Sequence, residues 1–333
     1  MTRKIHDTDY LFLTTRVRAL EGCLLNRGQM EQMLEAGSPE EAARILTDCG
    51  YPELETVSAI TVGEMLTRER ERLFQDLAEL VPDPAILAVF QLPHDYHNVK
   101  VLLKSEAMGI QEDRLLVDAG RIPSKQLAAA LRSGEVQNLP PQLGEAIDEA
   151  RQVLSATRDP QLGDMVLDRC YFQELLVLAE ETGSLFLQGY VQRMIDAANL
   201  RTVVRVLRMG QGTEFLEGIL FPGGNMEVER LLTGINGGSM LEELYASSPL
   251  VRAAESGAMA ARGGSLTQFE KDCDDAVLDE VRRAQFVAFG EAPVIAYLAA
   301  KEAEILAIRI ILTGRLADLA PDIIRERLRE AYV

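Results

Sequence analysis

A stretch of fifteen residues that recurs along the chain constrains its architecture more than any other feature. Residues 95–109 and 196–210 carry an acid, an asparagine, two basic residues and a closing glycine at the same offsets, 101 residues apart. A shorter copy starts at Glu304, 108 residues after the second acid, with Ala307 in place of the asparagine and Gly314 at its end. Internal repeats predict related structural units. We therefore expect a chain built from three similar units.

Each copy has the pattern of a helix that is about to end. In the second copy, apolar residues recur at helical spacing, and Gly210 follows at the position where a left-handed residue often terminates a helix. Arg201, Arg205 and Arg208 stand at i, i+4 and i+7, so they form one cationic stripe near the negative end of the helix dipole.

The acid and the asparagine of each of the first two copies share one face of the predicted helix. Short polar side chains are poor choices inside a helix unless they bond to something specific. We expect them to tie neighbouring helices together, with contact to a partner protein as the alternative. These candidate polar ties are Asp95, Asn98, Asp196 and Asn199.

Composition, together with the residues that typically begin and end helices, predicts an all-α fold. Leu, Ala, Glu and Arg are abundant and favour helix, and no alternating apolar–polar run suggests a strand. Asp159-Pro160 should open a long helix that stops at Gly183, while Asp83-Pro84 should open a short helix before the first copy. Weak patterns near residues 109–141 and glycine-rich loops near 210–238 mark unit boundaries.

We place the three units at residues 1–115, 116–222 and 223–333.

Charge and cysteine content exclude several classes of function. The formal net charge of −18 disfavours binding to nucleic acid or anionic lipid. We find no signal peptide and no apolar run long enough for a membrane-spanning helix. Four cysteines lie far apart and form no C-x-x-C pair, which suggests reduced thiols in a cytoplasmic protein.

Two patterns resemble catalytic or metal sites, and neither is complete. His94 and His97 share a helix face, as metal ligands do, but no third ligand is evident and the second copy lacks both histidines. Asp274, Asp275 and Asp279 are similar to the magnesium-binding helix of prenyl-transfer enzymes, although a solvated acidic face has the same pattern. No phosphate-binding loop occurs, and no nucleophile with a base can be assembled. We predict no cofactor, no metal and no nucleotide site.

Motifs from one end of the chain to the other identify a family. In order and spacing they resemble the C subunit of the bacterial and archaeal V/A-type rotary ATPases, a relative of the d subunit of the eukaryotic vacuolar proton pump. The motifs are residues 10–21, 95–100, 171–176, 199–202, 293–304, 308–312 and 324–328. Ala307 departs from the asparagine that the family often has.

The resemblance implies three similar helical-bundle domains arranged as a funnel with pseudo-threefold symmetry. It also implies a non-catalytic rotor component between the central axle, formed by the D and F subunits, and the membrane ring of proteolipid subunits. Such a socket turns with the rotor and transmits torque in a complex that couples ATP hydrolysis or synthesis to proton or sodium movement. Little direct contact with lipid is expected.

The cationic helix ends are candidate partner contacts under this interpretation, with ordinary solvated cations as the alternative. They are Lys100, Lys104, Arg201, Arg205, Arg309 and Arg315. Two rival functions remain open: a stand-alone helical scaffold, and a magnesium-dependent prenyl-type enzyme that uses the aspartates of residues 274–279. The repeat near 100 residues differs from the 34 residues of tetratricopeptide scaffolds.

Overall fold

The computed structural model describes residues 6–110 and 112–333, which form fifteen α-helices and no β-strand. The predicted all-α fold is confirmed. The first eight helices are α1 Leu11–Glu21, α2 Arg27–Glu35, α3 Pro39–Ile45, α4 Ala59–Ala78, α5 Pro84–Met108, α6 Ser124–Ser133, α7 Pro141–Thr157 and α8 Pro160–Thr182. The remaining seven are α9 Leu185–Arg208, α10 Val228–Asn236, α11 Leu241–Leu244, α12 Val251–Ala261, α13 Leu266–Arg282, α14 Ala292–Leu316 and α15 Pro321–Arg325.

Helix ends follow the local capping chemistry of the sequence. Asp159 accepts a hydrogen bond from the Gln161 N–H and caps α8. The helix stops at Gly183, whose φ of 71° places it in the left-handed region that glycine tolerates best. Ser184 then caps α9 through the Leu187 N–H. These predicted boundaries are confirmed.

One predicted boundary is wrong, because α5 is a single helix of 25 residues that includes Pro93. The predicted helix from Pro84 is short and ends before the first copy, whereas the observed helix continues through Pro93 although proline has no N–H to donate and disfavours the helix interior. Side chains on both sides of the proline, including Phe90, Leu92 and Tyr96, are buried. Burial of both halves against neighbouring helices stabilises the continuous helix in spite of the lost hydrogen bond.

The closing glycine of the third copy has a different role from the one predicted. Gly314 lies inside α14, which continues to Leu316. A Cβ atom at this position would come within 2.7 Å of the Ile324 side chain. The glycine therefore permits close packing of α15 against α14 and does not end the helix.

The chain divides into two compact units. The first comprises residues 70–183. Within it α8 packs along both α5 and α7, and α6 packs against α5. We call the helices α5–α8 the first bundle.

Two of the hydrophobic clusters in the second compact unit, whose described residues are 6–69 and 184–333, define its bundles. One core lies among α9–α13, which we call the second bundle, and is centred on Val204, Tyr245 and Phe269. The other combines residues 25–66 with residues 305–328. We call α1–α3, the first half of α4, α14 and α15 the terminal bundle, because it joins both ends of the chain. The predicted units 1–115, 116–222 and 223–333 are based on the repeats along the sequence. This division remains a prediction.

Candidate functional site

Asn98 on α5 and Asn199 on α9 make the same pair of hydrogen bonds. The Asn98 Nδ2 donates to the Val117 carbonyl and its Oδ1 accepts from the Val117 N–H, both at 2.8 Å. Asn199 binds the backbone of Phe221 in the same way, at 2.7 and 2.8 Å. Each amide thus satisfies the donor and the acceptor of one backbone residue and fixes the loop that follows its helix.

The acid of each copy holds the same loop a few residues further on. Asp95 accepts from the Ile122 N–H at 3.2 Å, and Asp196 accepts from the Met226 N–H at 2.9 Å. A Cβ atom on Gly120 or on Gly224 would stand 2.2 Å from the corresponding carboxylate oxygen. Glycine is therefore required at both positions, because any larger residue would displace the carboxylate.

The third copy makes the equivalent contact between the two ends of the chain. Glu304 on α14 accepts from the Leu25 N–H and, at 2.6 Å, from the Tyr51 hydroxyl. Leu25, Ile122 and Met226 each lie two residues before a helix of nine or ten residues, namely α2, α6 and α10. The third copy therefore completes the terminal bundle, although Ala307 offers no amide.

A second buried acid accompanies each of these carboxylates, and sequence reasoning missed this set. Glu69, Glu174 and Glu280 lie on α4, α8 and α13 at intervals of 105 and 106 residues, and all are less than 9% exposed. The matching interval was the signal that could have revealed them.

Each of these second acids pairs with a buried or half-buried cation, and Glu280 pairs with the exposed Arg283 as well. Lys301 lies 3.0 Å from Glu69, Arg121 lies 2.7 Å from Glu174, and Arg193 lies 3.1 Å from Glu280. Lys301 also binds Glu304, and Arg121 also binds Asp95. Two carboxylates thus share one cation in the first and terminal bundles, an arrangement that is stable only while the cation is present.

Burial shifts the ionisation of the Asp95 carboxyl. Desolvation raises the pKa of Asp95 above its ordinary value, and the bound Arg121 guanidinium only partly offsets this shift. In the same bundle, burial raises the pKa of the Tyr96 hydroxyl, which donates to Glu174 at 2.9 Å. Both groups support packing, because their polar atoms are engaged within the bundle.

The candidate cations of the first two copies lie along a seam between two helices. Lys104 on α5 binds Asp164 on α8 at 2.6 Å, and Lys100 binds Asp168 one turn further along. In the second bundle, Arg201 and Arg205 on α9 bind Glu270 on α13 at 2.6 and 2.7 Å. Arg201 also pairs with Asp274.

The cations differ in how much they reach solvent. The side chain of Lys100 is 25% exposed and that of Arg201 21%, whereas those of Lys104 and Arg205 are 42% and 59% exposed. In the terminal bundle Arg309 is exposed, and Arg315 donates to the Ala36 carbonyl. The exposed members thus present part of their side chains to solvent, while Arg201 mainly joins two helices.

The three aspartates of the acidic run point to different partners. Asp274 binds Arg329 at 2.7 Å in addition to Arg201. Asp275 is buried and accepts from the Glu330 N–H at 2.9 Å, and Asp279 pairs with Arg282 at 2.8 Å. The first two aspartates thereby join α13 to the last residues of the chain.

The two histidines have separate surroundings. His94 lies beside the Phe74 ring, with the ring centroids 6.5 Å apart, and the His97 Nε2 is 3.1 Å from the Leu115 carbonyl. Within residues 6–110 and 112–333, no group of three or more His, Cys, Asp or Glu side chains could hold a metal ion.

Comparison with known proteins assigns this arrangement of helical bundles to a family. The family model described as ATP synthase (C/AC39) subunit matches residues 13–327. The chain belongs to this family and is a non-catalytic structural subunit of a rotary ATPase.

Several curated proteins are similar to the chain over most of their length. The C subunit of the V-type sodium ATPase of Enterococcus hirae is 27% identical over 97% of this chain and 99% of its own length. The C subunit of the V-type ATP synthase of Thermus thermophilus is 27% identical over 93% of this chain and 94% of its own length. The C subunit of the A-type ATP synthase of Methanocaldococcus jannaschii is 23% identical over 96% and 86%, respectively.

A membrane span is absent from the described structure. Among the helices of residues 6–110 and 112–333, none combines the length and the apolar character needed to cross a bilayer.

Proposed function

We propose that this chain is the socket of the central stalk. It joins the D–F axle to the membrane ring of proteolipid subunits and transmits torque between them. The observation that carries the proposal is membership of the ATP synthase (C/AC39) family across residues 13–327. The chain turns with the rotor, in the cytoplasm and at the membrane surface, without a cofactor, a nucleotide or a nucleic acid.

The repeated polar ties support a mechanical role. A body that transmits torque needs helices whose connections do not yield under load. In each bundle a buried carboxylate fixes the start of a short helix, and in two bundles an asparagine fixes the preceding loop as well. Because the carboxylates and amides that make these contacts are buried, the contacts resist deformation better than exposed loops do. We infer that they stiffen a funnel of three similar domains.

Charge supports contact with protein more than with lipid. The chain has a net charge of −18, so the negative surface potential of a cytoplasmic leaflet repels it. We therefore propose that it rests on ring protein, with little direct lipid contact. Relatives are described as a sodium ATPase and as ATP synthases, and the coupled ion in this complex is accordingly a proton or a sodium ion.

We further propose that Lys100, Lys104, Arg201, Arg205, Arg309 and Arg315 contribute to the partner surface. The exposed members carry this proposal, since Arg201 already binds two carboxylates. Reversal of Arg201 would place three negative groups together and damage the second bundle. Lys104→Glu and Arg205→Glu are therefore the informative variants.

Size-exclusion chromatography with recombinant D–F axle tests the function. We expect one chain to elute with one axle. The Lys104→Glu and Arg205→Glu double variant should bind at least tenfold more weakly. Arg68→Glu is the matched control, because this arginine of α4 is 77% exposed and lies outside the seam. Failure of the wild-type chain to bind either axle or ring would overturn the socket role, whereas unaltered binding by the double variant would overturn only the role of the cations.

A further inference from the structure

A cavity of about 280 Å³ opens in the second compact unit, between α2, α13, α15 and the last residues of the chain. Its lining is rich in basic side chains, although the chain as a whole has a net charge of −18. The five basic residues that line it are Arg27, Lys271, Arg282, Arg325 and Arg329. The cavity therefore reverses the charge that is typical of this protein.

Two acidic side chains, Glu31 and Glu330, share the lining with these cations. Counting a terminal carboxylate at Val333, the lining has five positive and three negative groups. A hydrogen bond from Arg325 lowers the pKa of the Glu31 carboxyl, and one from Arg282 lowers the pKa of Glu330. Both acids thus sit in a positive local potential, which still favours a further negative charge.

Three of the lining arginines are also held by carboxylates that do not line the cavity. The pairs are Arg282 with Asp279 at 2.8 Å, Arg325 with Glu35 at 2.9 Å and Arg329 with Asp274 at 2.7 Å. Each pair fixes a planar guanidinium group against one helix or the chain end. The cavity is therefore shaped in advance, which lowers the entropy that binding would otherwise cost.

The other two cations, Arg27 and Lys271, are unpaired. Within residues 6–110 and 112–333, neither side chain forms a hydrogen bond or an ion pair. Arg27 is the first residue of α2 and is exposed, whereas Lys271 lies on α13 and is half-buried. An arginine side chain offers five N–H donors and a lysine three. These donors have no acceptor in the protein, and both side chains line the same cavity.

We propose that this cavity binds a phosphate-class anion, such as inorganic phosphate, diphosphate or a phosphomonoester headgroup. A phosphate group carries about two negative charges at neutral pH and at least three strong acceptor oxygens, so one group serves Arg27 and Lys271 together. A carboxylate has a single charge and two oxygens. The volume is below the roughly 300–1,000 Å³ of pockets that enclose drug-sized ligands, so a whole nucleotide would lie mostly outside.

The bound anion fastens the end of the chain to the helices beside it. Leu328 is buried, the Glu330 N–H donates to Asp275 at 2.9 Å, and Arg282 donates to the Ala331 carbonyl. These contacts already hold the last residues on α13. Because the cavity exists only when the segment is in place, a ligand in it stabilises that closed arrangement.

Isothermal titration calorimetry of the full-length chain with sodium diphosphate, at constant ionic strength, tests the site. We expect one diphosphate to bind per chain. The double variant Arg27→Gln and Lys271→Gln should bind it about tenfold more weakly, because charge-assisted hydrogen bonds are lost. The matched control is Arg68→Gln with Lys125→Gln, since both residues are exposed and lie outside the cavity.

The two substituted residues have no partner within the described chain, so the double variant should keep the wild-type circular dichroism. If it does not fold, Arg27→Gln alone, at an exposed position, should still weaken binding. Absence of saturable binding by the wild type overturns the proposal. Unchanged binding by the folded double variant, or equal weakening in the control, overturns it as well. The socket function does not depend on any of these outcomes, because they are measured on the isolated chain.

Hydrogen exchange reports whether the anion fastens the chain end. Sodium phosphate should slow exchange of the Glu330 amide in the wild type and leave it unchanged in the double variant. An equal slowing with sodium chloride at the same ionic strength would identify charge screening and overturn the proposal. Phosphate that binds without slowing this amide would refute the effect on the chain end.

Nanodiscs distinguish the two sources of the phosphate group. We expect free phosphate to be the source, because the net charge of −18 disfavours contact with an anionic bilayer. The chain should therefore bind neither nanodiscs that contain phosphatidic acid nor nanodiscs of phosphatidylcholine alone. Binding to the phosphatidic acid nanodiscs that the double variant loses would overturn the free source and assign the same site to a lipid headgroup.

Discussion

Replacement of Asn199 by alanine tests the repeated polar tie most sharply. The change removes two hydrogen bonds at 2.7 and 2.8 Å between α9 and Phe221. A net contribution of about 1 kcal/mol for each bond gives a loss of about 2 kcal/mol. Phe221 as a whole residue is half-buried, so we expect water to reach its freed backbone groups and do not add the larger penalty for a fully buried orphan.

The geometry of Asn98 predicts the same loss for Asn98→Ala. Its two bonds to Val117 are both 2.8 Å long, and Val117 is half-buried as well. Two substitutions in different bundles should therefore have matching effects, within about 0.5 kcal/mol. Asn138→Ala is the control, because Asn138 is exposed and none of its side-chain bonds contributes to a tie.

Native-state hydrogen exchange measures the effect where it arises. A loss of about 2 kcal/mol should accelerate exchange of the Phe221 amide in Asn199→Ala by about 30-fold. The Val117 amide should respond equally in Asn98→Ala, and neither should change in Asn138→Ala. Unchanged protection at both amides would refute the claim that the asparagines hold these loops.

Three further predictions concern buried charge and thiols. Lys301→Met should destabilise the chain by about 3–5 kcal/mol in urea unfolding, because it removes the buried cation that Glu69 and Glu304 share. The exposed Lys125→Met is the control, and equal effects would contradict this reasoning. Burial raises the pKa of Asp275 above its ordinary value of 3.8. The ionised form is therefore disfavoured in the folded chain, and the contribution of Asp275 to stability falls as pH rises from about 4 toward the raised pKa. Asp275→Asn keeps an acceptor for the backbone N–H, so its unfolding free energy relative to wild type should increase with pH across that window; a constant difference would contradict this. Finally, burial raises the pKa of the Cys273 thiol to about 12, so a disulfide reagent at about pH 8 should label the exposed Cys23 rapidly and Cys273 only on unfolding, as mass spectrometry can establish.

The sequence predicted the elements of the fold well where local chemistry decides them. Pro160 and Gly183 delimit α8 as expected, because caps and left-handed residues act within one helical turn. The continuity of α5 through Pro93 was not predicted, since it depends on residues that pack against the helix from elsewhere. The prediction that Gly314 ends its helix was wrong for a similar reason, because contact with Ile324 decides the role of this glycine.

The candidate site was predictable only in part. The repeat drew attention to Asp95 and Asn98, but no local pattern indicated which backbone groups they would bind. The interval of 105–106 residues could have revealed Glu69, Glu174 and Glu280. Their cations come from non-equivalent places in the chain, a loop in one bundle and the long helix in the other two. Such pairings arise from tertiary packing and leave no periodic signal.

A rotation assay tests the central proposal, that the chain turns with the rotor, most directly. The exposed Cys23 offers a site for a gold rod once Cys170 is replaced by serine, because Cys49 and Cys273 are buried. The complex is immobilised through its catalytic head, and ATP is added. If the chain turns with the rotor, the rod on Cys23 rotates in the same steps as a rod on the axle. A rod that remains fixed while the axle rotates would contradict it.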